Sequence, residues 1–124
     1  MAKIALDDLQ AAEVLQEAEM YTLAAYHLQQ AVEKSLKAVV VYKLGYLSRE
    51  YKTHNISVLI EFLRKEGIEL PDYVQKSEYL TDFAFTTRYP DDYVPVSKTE
   101  YEEAYQIAKK VLKWAQTVIS DDKW

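Results

Sequence analysis

The chain has 124 residues, a net charge of −5, and 49% hydrophobic against 28% charged residues, a balance that suits one soluble domain around one hydrophobic core. It has no cysteine and only two glycines. This excludes disulfides, thiol catalysis, thiolate metal sites and glycine-rich phosphate loops, and argues against a many-stranded β fold.

The first element is a helix over residues 4–18, with Leu6, Leu9 and Leu15 set among small alanines at imperfect helical spacing. No glycine or proline separates it from the next helix, so the spacing does not fix the break near Met20 and Tyr21. The second helix, over residues 22–44, is clearer. Leu28, Ala31, Val32, Leu36 and Val39 recur three and four apart as a core stripe, and Gly45 follows as its stop. At about 100° per residue, Gln30, Glu33, Lys34 and Lys37 gather on the opposite, polar face. Glu33 and Lys37 are also spaced for an ion pair one turn apart.

Thr53 is the expected N-cap of a third helix over 55–65, whose core positions are Ile56, Leu59, Ile60 and Leu63 and whose stop is Gly67. Pro71 opens a fourth helix over 71–85, with Val74, Leu80 and Ala84 inward. The stretch TTRYPDDYVP, residues 86–95, breaks the pattern with two of the three prolines. Ser97 and Glu100 then form a capping box for a last helix over 98–120. Its apolar stripe is Tyr101, Ala104, Tyr105, Ala108, Val111, Leu112, Ala115, Val118 and Ile119. The fold class expected is all-α, an up-and-down bundle of about five helices in a single domain over 1–124, with helices 22–44 and 98–120 the long ones.

The longest uninterrupted apolar run, residues 38–42, is far short of the roughly 20 residues of a membrane span. The segment MAKIALDDLQ lacks a signal-peptide core, so a cytoplasmic protein free of membranes is expected. The acidic balance argues against broad nucleic-acid binding. Residues 34–54 are the exception: Lys34, Lys37, Lys43, Arg49 and Lys52 stand against Glu50 alone, enough to attract a small anion or a short nucleic-acid segment.

Chemistry-bearing residues are few. Of the two histidines, His27 lies beside the core stripe and reads as a partly buried structural residue. His54 either seats the third helix or serves as an acid–base or phosphate-contacting group, since imidazole titrates near neutrality. Arg49 precedes it with four residues between, a pairing that suits phosphodiester chemistry. The acidic groups Asp7-Asp8, Asp91-Asp92 and Glu100-Glu102-Glu103 form no convincing metal site, and no nucleophile–base–orienter set is visible. Among eleven tyrosines, Tyr89 and Tyr93 could stack on a base, whereas Tyr101 and Tyr105 read as core or dimer contacts.

The run from Tyr26 to Ala38, YHLQQAVEKSLKA, followed by Thr53-His54-Asn55-Ile56, then Arg88-Tyr89-Pro90 and a long C-terminal helix, resembles the HEPN family, the "higher eukaryotes and prokaryotes nucleotide-binding" domains. The resemblance spans nearly the whole chain and is strongest to small stand-alone prokaryotic members. It implies a helical bundle that commonly dimerises and binds a nucleotide or RNA, with no cofactor. It also implies a partner, a minimal nucleotidyltransferase; some such pairs act as toxin–antitoxin modules. Some members are metal-independent ribonucleases that use an arginine, then four to six intervening residues, then a histidine. Arg49 and His54 have that spacing, but in the ribonuclease members the motif sits toward the C-terminal helical part. Here the helix over 98–120 holds neither arginine nor histidine.

The positions matching the family are Gln30, Glu33, Lys34, Lys37, His54, Arg88 and Tyr89. In a ligand site, Lys37 and Arg88 contact phosphate, His54 bonds or protonates it, and Tyr89 stacks on the base. In a structural reading, Gln30, Glu33 and Lys37 form a buried polar network with Arg88 paired to Glu33. Both readings stand at this level. Binding or regulation is favoured over catalysis; a ribonuclease using Arg49 and His54, or a non-catalytic protein-interaction adaptor, are the alternatives.

Overall fold

The computed structural model describes residues 2–45, 53–84 and 95–119. Arg49, Arg88, Tyr89 and Tyr93 lie outside the described residues. The described chain is all-helical: α1 (Ala2–Glu17), α2 (Tyr21–Leu44), α3 (Ile56–Lys65), α4 (Asp72–Lys76), a 3₁₀ helix (Ser77–Ala84) and α5 (Lys98–Val118). Helix α2 is the spine, packing against α1, α3, the 3₁₀ helix and α5.

The break between α1 and α2, which the spacing leaves open, is a Schellman motif. Met20 N–H donates to the Leu15 carbonyl and Glu19 N–H to the Gln16 carbonyl, both at 2.9 Å. Glu19 holds the left-handed position at φ 60°. The same pair of bonds ends α3, through Gly67 to Arg64 and Ile68 to Leu63, with Gly67 at φ 78°. A glycine marks the second motif in the sequence; a glutamate hides the first. The turn folds α1 back on α2, so that Asp8 reaches both His27 and Lys34.

Alanines are prominent among the buried residues of these two helices. Ala5 and Ala12 of α1 and Ala24, Ala25 and Ala31 of α2 are fully buried, which lets the backbones approach closely. Leu6 is 37% exposed, and Leu9 and Leu15 are only partly buried, in keeping with their imperfect spacing. On α2 the expected stripe holds: Leu28, Ala31, Val32, Leu36 and Val39 are all buried. Burial of a side chain such as Leu36 contributes about 2 kcal/mol. Gly45 caps this helix in the left-handed conformation, its N–H donating to Val41.

Helix α3 buries Ile56, Leu59, Ile60 and Leu63 as expected, but its N-cap is Asn55 and not Thr53. The Asn55 carboxamide accepts from Ser57 N–H, while the Thr53 hydroxyl sits two residues outside, accepting from Asn55 N–H, each at 3.0 Å. The first helical N–H, of Ile56, donates to the Thr81 hydroxyl, which arrives from the 3₁₀ helix. The single helix expected over 71–85 is divided. Pro71 is its N-cap, the α-helical part ends at Lys76, and Ser77 begins the tighter 3₁₀ turns. The buried Ser77 hydroxyl donates to the Val74 carbonyl at 2.6 Å, a local bond that competes with regular helix. Val74 and Leu80 point inward as expected.

The capping box of α5 is present, with Ser97 Oγ accepting from Glu100 N–H and Glu100 Oε1 from Ser97 N–H, both at 3.1 Å. Of its stripe Tyr101, Ala104, Ala108, Val111, Leu112, Ala115 and Ile119 are buried and Tyr105 and Val118 partly buried, and Trp114, absent from the expected stripe, joins it. Tyr101 is a core residue whose hydroxyl donates to the Ala12 carbonyl. Tyr105 stacks on Tyr101, ring centres 5.9 Å apart, and its hydroxyl donates to Glu13. Burial first, then this hydrogen bond, pushes the Tyr105 phenol up to about 12.

Candidate functional site on helix α2

Three residues of α2 spaced one turn apart, Gln29, Glu33 and Lys37, lie on one line beside the apolar stripe. They meet His54, delivered by the segment that leads into α3. Glu33 is the centre. Its Oε1 is bonded to Gln29 Nε2 at 3.0 Å and His54 Nδ1 at 2.9 Å, and its Oε2 accepts from Lys37 Nζ at 3.0 Å. Gln29 Nε2 also donates to the His54 carbonyl at 3.1 Å, and Gln29 Oε1 accepts from Gln30 Nε2 at 2.6 Å.

Burial grades outward through this cluster. Gln29 is fully buried, and the Glu33 side chain is 3% exposed, Lys37 12% and His54 54%. The polar face expected of Gln30, Glu33, Lys34 and Lys37 is therefore corrected at Glu33: the carboxylate points into the protein. A buried carboxylate needs a charge partner and satisfied lone pairs, and Lys37, Gln29 and His54 supply both. His54 is bound at one end of its ring and wet at the other.

Lys34 belongs to a second cluster. Its Nζ donates to Asp8 Oδ2 at 2.6 Å, and His27 Nδ1 sits 2.9 Å from Asp8 Oδ1, which ties α1 to α2. His27 is a partly buried structural histidine, as its position beside the core stripe implies. Among the described residues Gln30 is joined to the first cluster through Gln29. Of the predicted site residues, the structure thus gathers Glu33, Lys37 and His54, sets Gln30 at their rim, and assigns Lys34 elsewhere. Arg49, Arg88 and Tyr89 are outside the described residues.

Sequence reasoning misses Gln29 and Asp8. Gln29 carries a signal: with Glu33 and Lys37 it makes a polar line flush with Leu28, Val32 and Leu36, where a buried glutamine is expected to bond its own turn. Asp8 carries none, since its partners are on another helix.

Among the described residues, two grooves lie away from this cluster. A groove of about 480 Å³ runs over α3 between Ser57, Glu61 and Arg64, and one of about 400 Å³ lies at the α1–α2 turn beside Met20 and Val96; no cluster residue lines either. Among the described residues no group of three or more His, Cys, Asp or Glu could hold a metal ion, and no helix is long and apolar enough to cross a membrane.

The HEPN domain family matches residues 1–118, and the chain belongs to that family. Over 123 residues it is 31% identical to the Methanocaldococcus jannaschii protein named "Putative toxin MJ1304", a match covering 94% of this chain and 80% of that protein. No solved structure matches the chain.

Proposed function

We propose that this HEPN protein is an RNA-directed, toxin-type protein that holds a nucleotide or RNA end at the outer edge of the α2 cluster. The observation that carries the reading is the half-exposed His54, anchored by a buried carboxylate beside Lys37. Lys37 supplies a phosphate with charge, and His54 donates a hydrogen bond to it when its ring is protonated. Gln30 lines the rim, and Arg88 and Tyr89 add a second cation and a stacking ring. Gln29 and Glu33 form the floor. Lys34, bound to Asp8, braces the helix behind the site. The protein works as a single domain in a cytoplasmic homodimer, beside a minimal nucleotidyltransferase partner. The name of the archaeal relative supports the toxin-type role.

Titration with ATP and short RNAs at low salt, up to near-millimolar ligand, tests this. Binding is expected, weakened about tenfold or more by His54→Ala, as loss of one charge-assisted hydrogen bond predicts. No binding to either ligand overturns it.

One observation favours a second reading. A histidine fixed by a carboxylate, with its far nitrogen toward water, is built as a general base, and Arg49 lies five positions before it. The reading is a metal-independent ribonuclease using Arg49 and His54, although the pair precedes α3 and the family's ribonuclease motif sits toward the C-terminal helical part. Cleavage of labelled RNA in chelator, lost in His54→Ala, supports it; equal cleavage by both proteins refutes it.

A further inference from the structure

Gln29 bonds to both ends of the same residue pair, and this has a chemical consequence for His54. An amide nitrogen has two hydrogens pointing apart. In Gln29 one goes to the Glu33 carboxylate and the other to the His54 backbone carbonyl. The side chain is fully buried, and its oxygen is occupied by Gln30. Gln29 is therefore a strut that fixes the distance between the carboxylate and the backbone from which the imidazole hangs.

The carboxylate in turn fixes the proton. Glu33 already receives an ammonium and an amide hydrogen and is an acceptor at both oxygens. A neutral imidazole 2.9 Å from such an oxygen must place its hydrogen on Nδ1. Nε2 is then a bare lone pair. Among the described residues it has no hydrogen-bond partner, and the ring is 54% exposed.

We infer that Gln29 is a positioning residue which, through Glu33, holds neutral His54 as its Nδ1–H tautomer and presents Nε2 as a hydrogen-bond acceptor for a ligand hydroxyl, such as that of a ribose. The inference rests on the reading of His54 as the ligand-facing group. It makes the neutral site selective for an O–H donor. Once Nε2 is protonated, the same atom becomes a donor suited to phosphate, and Glu33 balances the new charge.

The test is nitrogen-15 NMR of the two histidine rings in the full chain, assigned with His27→Gln. Above the imidazole titration, wild-type His54 is expected to show a protonated Nδ1 and an unprotonated Nε2, the reverse of the preference of free histidine. Gln29→Met, close in volume and unable to bond, is expected to move His54 toward the free-histidine pattern. His27, held by Asp8, stays unchanged as an internal reference. A change at His27 as well would mark a general loss of structure, not a released tautomer. An Nε2–H tautomer in the wild type overturns the inference without any variant. So does an unchanged His54 ring in Gln29→Met. If that variant does not fold, Glu33→Met, which leaves no acceptor beside Nδ1, must release the tautomer, and failure to do so is equally decisive. Adding AMP then tests the functional reading separately: a shift at Nε2 alone is the expected result, whereas no binding removes that reading and leaves the assigned tautomer of His54 standing.

Discussion

Replacing Glu33 with leucine isolates what the buried carboxylate does for the fold. The side chain is 3% exposed and bonded to three groups, of which Lys37 is charged and only 12% exposed. Removing one member of a buried pair leaves the other desolvated and uncompensated, at a cost of about 3–5 kcal/mol. Lys37 can extend its long stem toward water, and the new leucine buries apolar surface, so the expected loss is at the low end, about 3 kcal/mol. That is roughly a hundredfold in the folding equilibrium and roughly 12 °C in midpoint for a domain of this size. The stranded ammonium is the main cause, because Gln29 keeps His54 and Gln30, and His54 can turn to water. Lys37→Leu strands the buried carboxylate and is expected to cost about as much, about 3 kcal/mol, whereas Glu33→Leu/Lys37→Leu removes both charges and is expected to lose only about 1 kcal/mol, well short of the sum of about 6 kcal/mol. Urea unfolding followed by helical circular dichroism, with an unchanged m-value, reads all three losses. A double variant as unstable as the sum of its singles would refute the argument, as would a Glu33→Leu loss below about 1 kcal/mol.

Glu19 occupies a left-handed position that disfavours a side chain by about 1–2 kcal/mol, partly offset by the entropy of a glycine in the unfolded chain. Glu19→Gly should therefore raise the melting temperature slightly, while Gly67→Ala at the matching position lowers stability by about 1 kcal/mol. Ser97→Ala removes one half of the capping box and should cost about 1 kcal/mol in the same unfolding assay. Tyr105 has its phenol raised from 10.0 to about 12 in the folded protein. Its contribution is fully present below pH 10 and is lost as the pH climbs through about 12. Stability should thus fall over that window, and less steeply in Tyr105→Phe, as thermal melts across alkaline pH would show.

Much of the fold is legible in the sequence because local physics and burial agree there. The stripe from Leu28 to Val39, the stripe of α3, the Ser97–Glu100 box and the Gly45 and Gly67 stops each specify an element within a few residues of sequence. The ion pair of Glu33 with Lys37 is also local, one turn apart on a single helix. The helix expected over 71–85 fails where a serine hydroxyl takes a carbonyl from the regular helix, a competition that spacing does not reveal.

What the sequence by itself determined is an all-α chain built on α2 and α5, because helical periodicity and capping are encoded over a few turns. What only tertiary structure decided is which polar groups are buried and which partners they find. Glu33 turns inward because the start of α3 brings His54 across it, and Lys34 turns to Asp8 because a glutamate in a left-handed turn folds α1 back along α2. Hydrogen bonds between residues 19 to 26 positions apart, such as Asp8 with His27 and Lys34, Gln29 with the His54 carbonyl and Glu33 with the His54 ring, have no period to leave in a sequence. They exist only once the apolar stripes have set the helices side by side.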